Sequence, residues 1–173
     1  VLQVLRSIRV AFLCAGLATP LMAQVLDDLP VPAGEVVLTI SGAISTTNNE
    51  DTAVFDLAML QAMPVTTFIT TTVWTDGPQE FSGLELTDLM AALGIEEGTL
   101  RATAINDYAV DIPVSDAVEG GPILAYSQNG AIMSVRDKGP LWIVYPYDSN
   151  AAYKSEVVYS QSIWQLDRIE VLK

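Results

Sequence analysis

The chain has 173 residues, no His, a single Cys and an excess of acids: 21 Asp and Glu against 8 Lys and Arg, for a net charge of −13. Without imidazole, Ser-His-Asp and Cys-His nucleophilic machinery are excluded. The negative field argues against nucleic acid or an anionic lipid surface as a partner.

Residues 1–23 read as a secretory signal peptide. Arg6 and Arg9 form a positive n-region, Val10 to Ala18 a short apolar run broken by Gly16, and Leu21-Met22-Ala23 a cleavage site before Gln24. The run is shorter than the roughly 20 residues that span a bilayer. Cleavage removes Cys14, the one Cys, together with Arg6 and Arg9. All 21 acids lie beyond it, so the net charge of the remainder falls to −15. Thiolate and imidazole metal sites are then excluded as well. Carboxylates, Lys, Arg, Tyr, Ser and Thr remain for chemistry, in a domain expected in the periplasm and not inserted in a membrane after cleavage.

Residues 24–34, with Asp27, Asp28, Pro30 and Pro32, read as a mobile lead-in to a single domain over 35–173. Glu35 to Ser41 alternates as a half-buried strand ended by Gly42. Ser45 to Thr52 is a polar loop. Phe55 to Met63 reads as a short helix, with Leu57, Leu60 and Met63 inward and Pro64 as its stop. Val65 to Trp74, rich in Thr and Val, favours a strand, and Asp76-Gly77-Pro78 a turn. Phe81-Ser82-Gly83 leads to a second helix with Leu86, Leu89, Met90 and Leu93 on one stripe and Gly94 as its cap.

Strands are predicted at Leu100–Ile105, Ala109–Ile112, Ile123–Ser127, Leu141–Tyr145 and Ile163–Leu172. The turns between them include Asn106-Asp107, Gly120-Gly121-Pro122, the hairpin pair Asn129-Gly130 and Lys138-Gly139-Pro140. The class is α+β, a mixed or mainly antiparallel sheet with two short helices.

The order of these pieces resembles the sulfite-oxidase-type molybdopterin-binding domain. The resemblance rests on Phe55-x-Leu-x-x-Leu-x-x-Met-Pro64, the Thr-rich strand, Phe81-Ser-Gly-x-x-Leu-x-x-Leu-Met90 and Asn106-Asp107-Tyr108. It continues through Leu124-Ala125 with Asn129-Gly130, and Gly139-Pro-Leu-Trp-Ile-Val-Tyr-Pro146 followed by Lys154. It covers roughly residues 35–172. In the family's enzymes a Cys at the end of the Thr-rich strand binds molybdenum; here Thr71 to Gly77 contains none. Trp142 stands where an Arg is common, and few basic residues remain to hold a phosphate. The chain therefore resembles more closely the small periplasmic pterin-binding proteins that work beside membrane sensors, regulators of cyclic-dinucleotide turnover or histidine kinases.

That resemblance implies a bound pterin without a molybdenum cofactor, and a partner in the extracytoplasmic part of a membrane sensor. The alternatives are a molybdopterin-dependent oxidoreductase with an atypical cofactor site, or a purely structural interaction module. A pterin is flat, uncharged at neutral pH and polar at its edges; offset stacking on an aromatic wall contributes about 0.5–1.5 kcal/mol beyond area burial. Trp74 is the first candidate for that wall. Asp76 and Asp107 are candidates for a carboxylate on the amino edge, though either also suits a turn. Asn106, Tyr108, Trp142, Tyr145 and Tyr153 are further candidates around the slot. Lys154 and Arg136 are candidates for a phosphate or glycan tail, with solvated surface charge as the alternative. Trp164 reads as core.

Overall fold

A computed structural model describes residues 29–173; the expected signal peptide lies outside the described residues. Ten strands form two five-stranded assemblies. The first has the order β2 (Ala53–Asp56), β1 (Val36–Gly42), β10 (Leu166–Leu172), β5 (Thr99–Ala104) and β6 (Ala109–Pro113). The pair β1–β10 is parallel and the others are antiparallel. The second runs β3 (Thr66–Thr71), β4 (Pro78–Glu85), β7 (Ile123–Gln128), β8 (Ala131–Ile132), with β9 (Trp142–Val144) paired to β7. Three short helices complete it: α1 (Leu57–Ala62), α2 (Leu86–Leu93) and α3 (Glu156–Gln161). The expected α+β class is the observed one, with two sheets in place of one and a third helix.

The elements follow from local chemistry. Alternation in β1 buries Leu38 and Ile40 completely. The α2 stripe of Leu86, Leu89, Met90 and Leu93 is buried, and Gly94 closes the helix at φ 66°, where a side chain would strain the backbone. The Asn129-Gly130 hairpin has both residues at positive φ, 51° and 76°. Gly83 sits where β4 crosses β7 at a bulge; a Cβ there would lie 2.1 Å from the carbonyl oxygen of Leu124, so only Gly permits this approach.

Four expectations are corrected. Phe55 is fully buried in β2, and the helix begins after Asp56, whose carboxylate caps it by accepting from the Met59 N–H at 2.9 Å. The Thr-rich strand ends at Thr71, because Thr72 turns back: its hydroxyl accepts from the Trp74 N–H and pairs with Thr75. Phe81–Gly83, expected only to lead into the second helix, lie within β4. The lead-in is tied down from Leu29 onward. Leu29 is buried, the Pro30 carbonyl accepts from Asn48, and the N–H groups of Ala33 and Gly34 both donate to Asp56 at 2.8 Å. The Met59 N–H first, and then those of Gly34 and Ala33, hold the Asp56 carboxyl below its ordinary range.

One apolar cluster contains residues of both sheets, among them Leu38 and Leu100 of the first and Phe81, Leu84 and Leu124 of the second. β9 is the seam. On one side it pairs with β7, Ile123 opposite Val144. On the other it meets the approach to β10: Ile143 N–H donates to the Ile163 carbonyl, Leu166 N–H to the Leu141 carbonyl, and Trp142 bridges Trp164. The turn after β3, the β5–β6 turn and the end of α3 all open at this seam.

Candidate functional site

A groove of about 450 Å³ lies at that junction. Three segments wall it: Val73 and Trp74 from the β3–β4 turn, Ala104, Asn106 and Tyr108 around the β5–β6 turn, and residues 159–160 and 162–165 from the end of α3 into β10. Its aromatic surface comes from Trp74, Tyr108, Tyr159 and Trp164. No charged side chain among the described residues lines it.

Trp74 is the hinge of the aromatic arrangement. It meets Trp164 at 5.5 Å, Tyr159 at 5.8 Å, Trp142 at 5.8 Å and Tyr147 at 6.4 Å, each at a steep interplanar angle. This edge-to-face packing suits the ring quadrupoles and fixes Trp74 while leaving it half-exposed.

The polar groups are pinned from behind. In the β5–β6 turn the Asn106 Oδ1 accepts from the Tyr108 N–H at 3.2 Å, an Asx turn. Gln165 adopts φ 53°. Its N–H donates to the Lys138 carbonyl, its own carbonyl accepts from Ile105, and its Nε2 donates to the Val135 carbonyl at 2.7 Å. Ser162 Oγ donates to the Val158 carbonyl and accepts from the Tyr147 hydroxyl at 2.6 Å.

Of the ten candidates from sequence, Trp74, Asn106 and Tyr108 line the groove, and Arg136 is exposed away from its lining. Trp142 and Tyr145 are buried and have no face to offer a ligand. Instead they hold α3: Trp142 Nε1 donates to the Ser162 carbonyl at 3.1 Å, and the Tyr145 hydroxyl reaches Gln161 at 3.4 Å. Burial pushes the Tyr145 phenol up, and the Tyr147 phenol up to about 12. Tyr153 packs against Tyr145 at 5.5 Å, away from the groove.

Neither carboxylate candidate reaches the groove. Asp107, at φ 66°, turns its side chain outward to Arg168. Asp76 is exposed in the β3–β4 turn, where its carbonyl accepts from Gln79. Lys154 pairs with Asp148 at 2.7 Å, and Asp148 also accepts from the N–H and hydroxyl of Thr71. Lys154, and then Thr71, hold the Asp148 carboxyl down at about 2. This pair fastens the end of β3 rather than a ligand's tail.

Sequence reading missed Trp164, which is not core but 36% exposed on the groove wall. It also missed Gln165 and all of α3. The Val157-Val158-Tyr159 run favours a strand by propensity. The one local helix signal is Ser155, whose Oγ accepts from the Val158 N–H as a cap.

No protein-family model and no curated protein matches the chain. Among solved structures it is similar to the sulfane dehydrogenase SoxCD from Paracoccus pantotrophus. The TM-score is 0.58 and the identity 19%, over 78% of this chain and 37% of that one. The chain thus spans little more than a third of that neighbour's length, and the likeness is one of fold. The architecture is the sulfite-oxidase-like α+β fold that the sequence motifs resemble.

The molybdenum cofactor implied by that fold does not fit the residues present. The turn after β3 puts Val73 and Trp74 on the groove, and no thiolate stands there. Among the described residues no group of three His, Cys, Asp or Glu is placed to hold a metal. The groove also offers no cation to a phosphate.

Proposed function

We propose that this protein is a periplasmic, non-catalytic binder of a pterin, and that it reports occupancy to the extracytoplasmic part of a membrane sensor. One observation carries the reading. The groove is sized for one small flat molecule and walled by four aromatic side chains, and among the described residues it presents no carboxylate, amine, imidazole or metal donor set. Such a site binds a neutral heteroaromatic ring by stacking and neutral hydrogen bonds. Its Ser160 and Ser162 hydroxyls are already committed to the Val157 and Val158 carbonyls, and no base stands beside them on the lining.

The rim supports the partner. Ile105, Val135 and Val157 are each at least 45% exposed. Each is hydrogen-bonded to a groove residue: Ile105 and Val135 to Gln165, Val157 to Ser160. With Val73, Tyr108 and Trp164 they form an exposed apolar margin around the groove, the kind of patch that marks an interaction surface. A partner seated there would contact rim and ligand together.

Titration of the exported protein with pterins, read by Trp74 and Trp164 fluorescence, tests the binding. Saturable quenching at micromolar pterin without change in the pterin's own spectrum is expected. No binding below about millimolar would defeat the proposal. Elemental analysis separates the oxidoreductase alternative, which requires about one molybdenum per chain.

A further inference from the structure

We infer that the groove selects its ligand by a neutral lactam edge, a ring N–H beside a ring C=O, with Gln165 Oε1 accepting and Asn106 Nδ2 donating. This rests on the proposed binding site and concerns what that site reads.

The polar groups on the lining differ in what each has left to bond. Ser160 and Ser162 donate their hydroxyl protons to the Val157 and Val158 carbonyls. Both carboxamides are oriented by backbone groups that admit only one assignment. The Val135 carbonyl can only accept, so the near atom of Gln165 is Nε2. The Tyr108 N–H can only donate, so the near atom of Asn106 is Oδ1. Gln165 therefore has an acceptor to spare and Asn106 a donor, and neither remaining atom has a partner among the described residues. The two residues lie side by side, because the Ile105 N–H donates to the Gln165 carbonyl at 3.0 Å. Asp107 and Arg168 pair with one another outside. The Tyr108 and Tyr159 hydroxyls also tip onto the lining, but each can turn to donate or accept and so selects neither form; the fixed pair that reads the edge is Gln165 and Asn106, and it is neutral.

A neutral donor and a neutral acceptor, held in place before binding, match a lactam. A 4-oxopteridine presents N3–H and C4=O. A 2,4-diaminopteridine reverses both: its ring nitrogen accepts where Gln165 accepts, and its 4-amino group donates where Asn106 donates. A phosphate ester gains nothing, since no cation lines the groove and the chain's own charge opposes it.

The test is titration of the whole exported protein, wild type and Asn106→Asp, with 2-amino-4-oxopteridine, 2,4-diaminopteridine and guanine. Asn106→Asp keeps the acceptor that holds the Tyr108 N–H and replaces the free donor by an acceptor; unchanged near-ultraviolet circular dichroism checks the fold. Wild type should prefer the oxo compound by about tenfold or more, and Asn106→Asp should shrink or invert that ratio. Gln165→Met, similar in shape, should weaken the oxo compound. Pteridines that bind regardless of the 4-substituent, in both proteins, overturn the lactam reading and leave pterin binding standing. Guanine that binds with the same dependence on Asn106 while pteridines do not keeps the lactam reading and removes the pterin. If none binds, both fall.

Discussion

Two aromatic groups meet at Trp74 and do opposite work. Trp142, Tyr145 and Tyr147 are at most 1% exposed, whereas Tyr108 and Trp164 stand 55% and 36% exposed. Residue type does not distinguish them. Trp142 is held on β9 between β7 and the approach to β10, so its ring has strands on both sides. Trp74 and Tyr108 sit in turns, and Trp164 precedes β10, where the backbone has left the ladder and a face stays open. The inner group hydrogen-bonds α3 into place, and the outer group borders the space that α3 then defines. A wall for a ligand thus depends on a second, hidden layer that orients it.

The largest effect that tests this division is on the inner layer. Trp142→Ala should destabilise the domain by about 3–5 kcal/mol, since it empties a fully buried site and strands the Ser162 carbonyl. Urea unfolding measures it, and a loss under about 1 kcal/mol would mean that the inner ring is not structural. Trp74→Ala should act on binding instead. Pterin affinity should fall roughly ten- to hundredfold, for about 1.5–3 kcal/mol of lost stacking and apolar contact. Its unfolding midpoint should drop far less than that of Trp142→Ala, and equal losses in the two assays would erase the distinction.

Tyr147→Phe sharpens the comparison at a single atom. It removes the hydroxyl that donates to Ser162 but leaves Ser162 bonded to Val158. Stability should fall by about 1 kcal/mol, with pterin affinity unchanged, as denaturation and titration of the same sample would report.

The smallest effect is on the pH profile. The Asp148 carboxyl is held down at about 2 by Lys154 and Thr71. A depressed carboxylate contributes stability above its unfolded value of about 3.9, and loses it as pH falls through the folded value. Asp148→Asn should therefore flatten the acid limb between about pH 4 and pH 2 without altering binding at neutral pH. Urea midpoints taken across that range check it. A change in pterin affinity at pH 7 would instead give the ion pair a role at the groove.

Much of the scaffold was legible along the chain because its causes are local. The α2 stripe, the Gly94 cap and the Asn129-Gly130 hairpin each follow from side-chain period or permitted φ within a few residues. Where a competing local bond decides, propensity does not: Asp56 capping Met59 moves the start of α1 past Phe55, and Thr72 turning onto Trp74 ends β3 early. Helix α3 was illegible for a different reason. Its β-branched run opposes helix, and its place is set by bonds from Trp142, Tyr145 and Tyr147, 15 to 20 positions before their partners.

The sequence by itself determined the inventory of chemistry: no imidazole, no thiolate beyond Cys14, a strong negative charge, and aromatic residues at the turns. It also determined the α+β class, because periodicity and turn residues act over short range. Only the tertiary structure decided which of those residues share the groove. β9 is covered on both faces, which buried Trp142 and, just past the strand, Tyr145; Arg168 drew Asp107 outward, and the approach to β10 brought Trp164 and Gln165 beside Asn106, about 60 positions earlier in the chain. Neither a side chain's choice of partner nor the direction of its free atom is encoded in its neighbours along the chain, because both are set by contacts that exist only once the two sheets have packed.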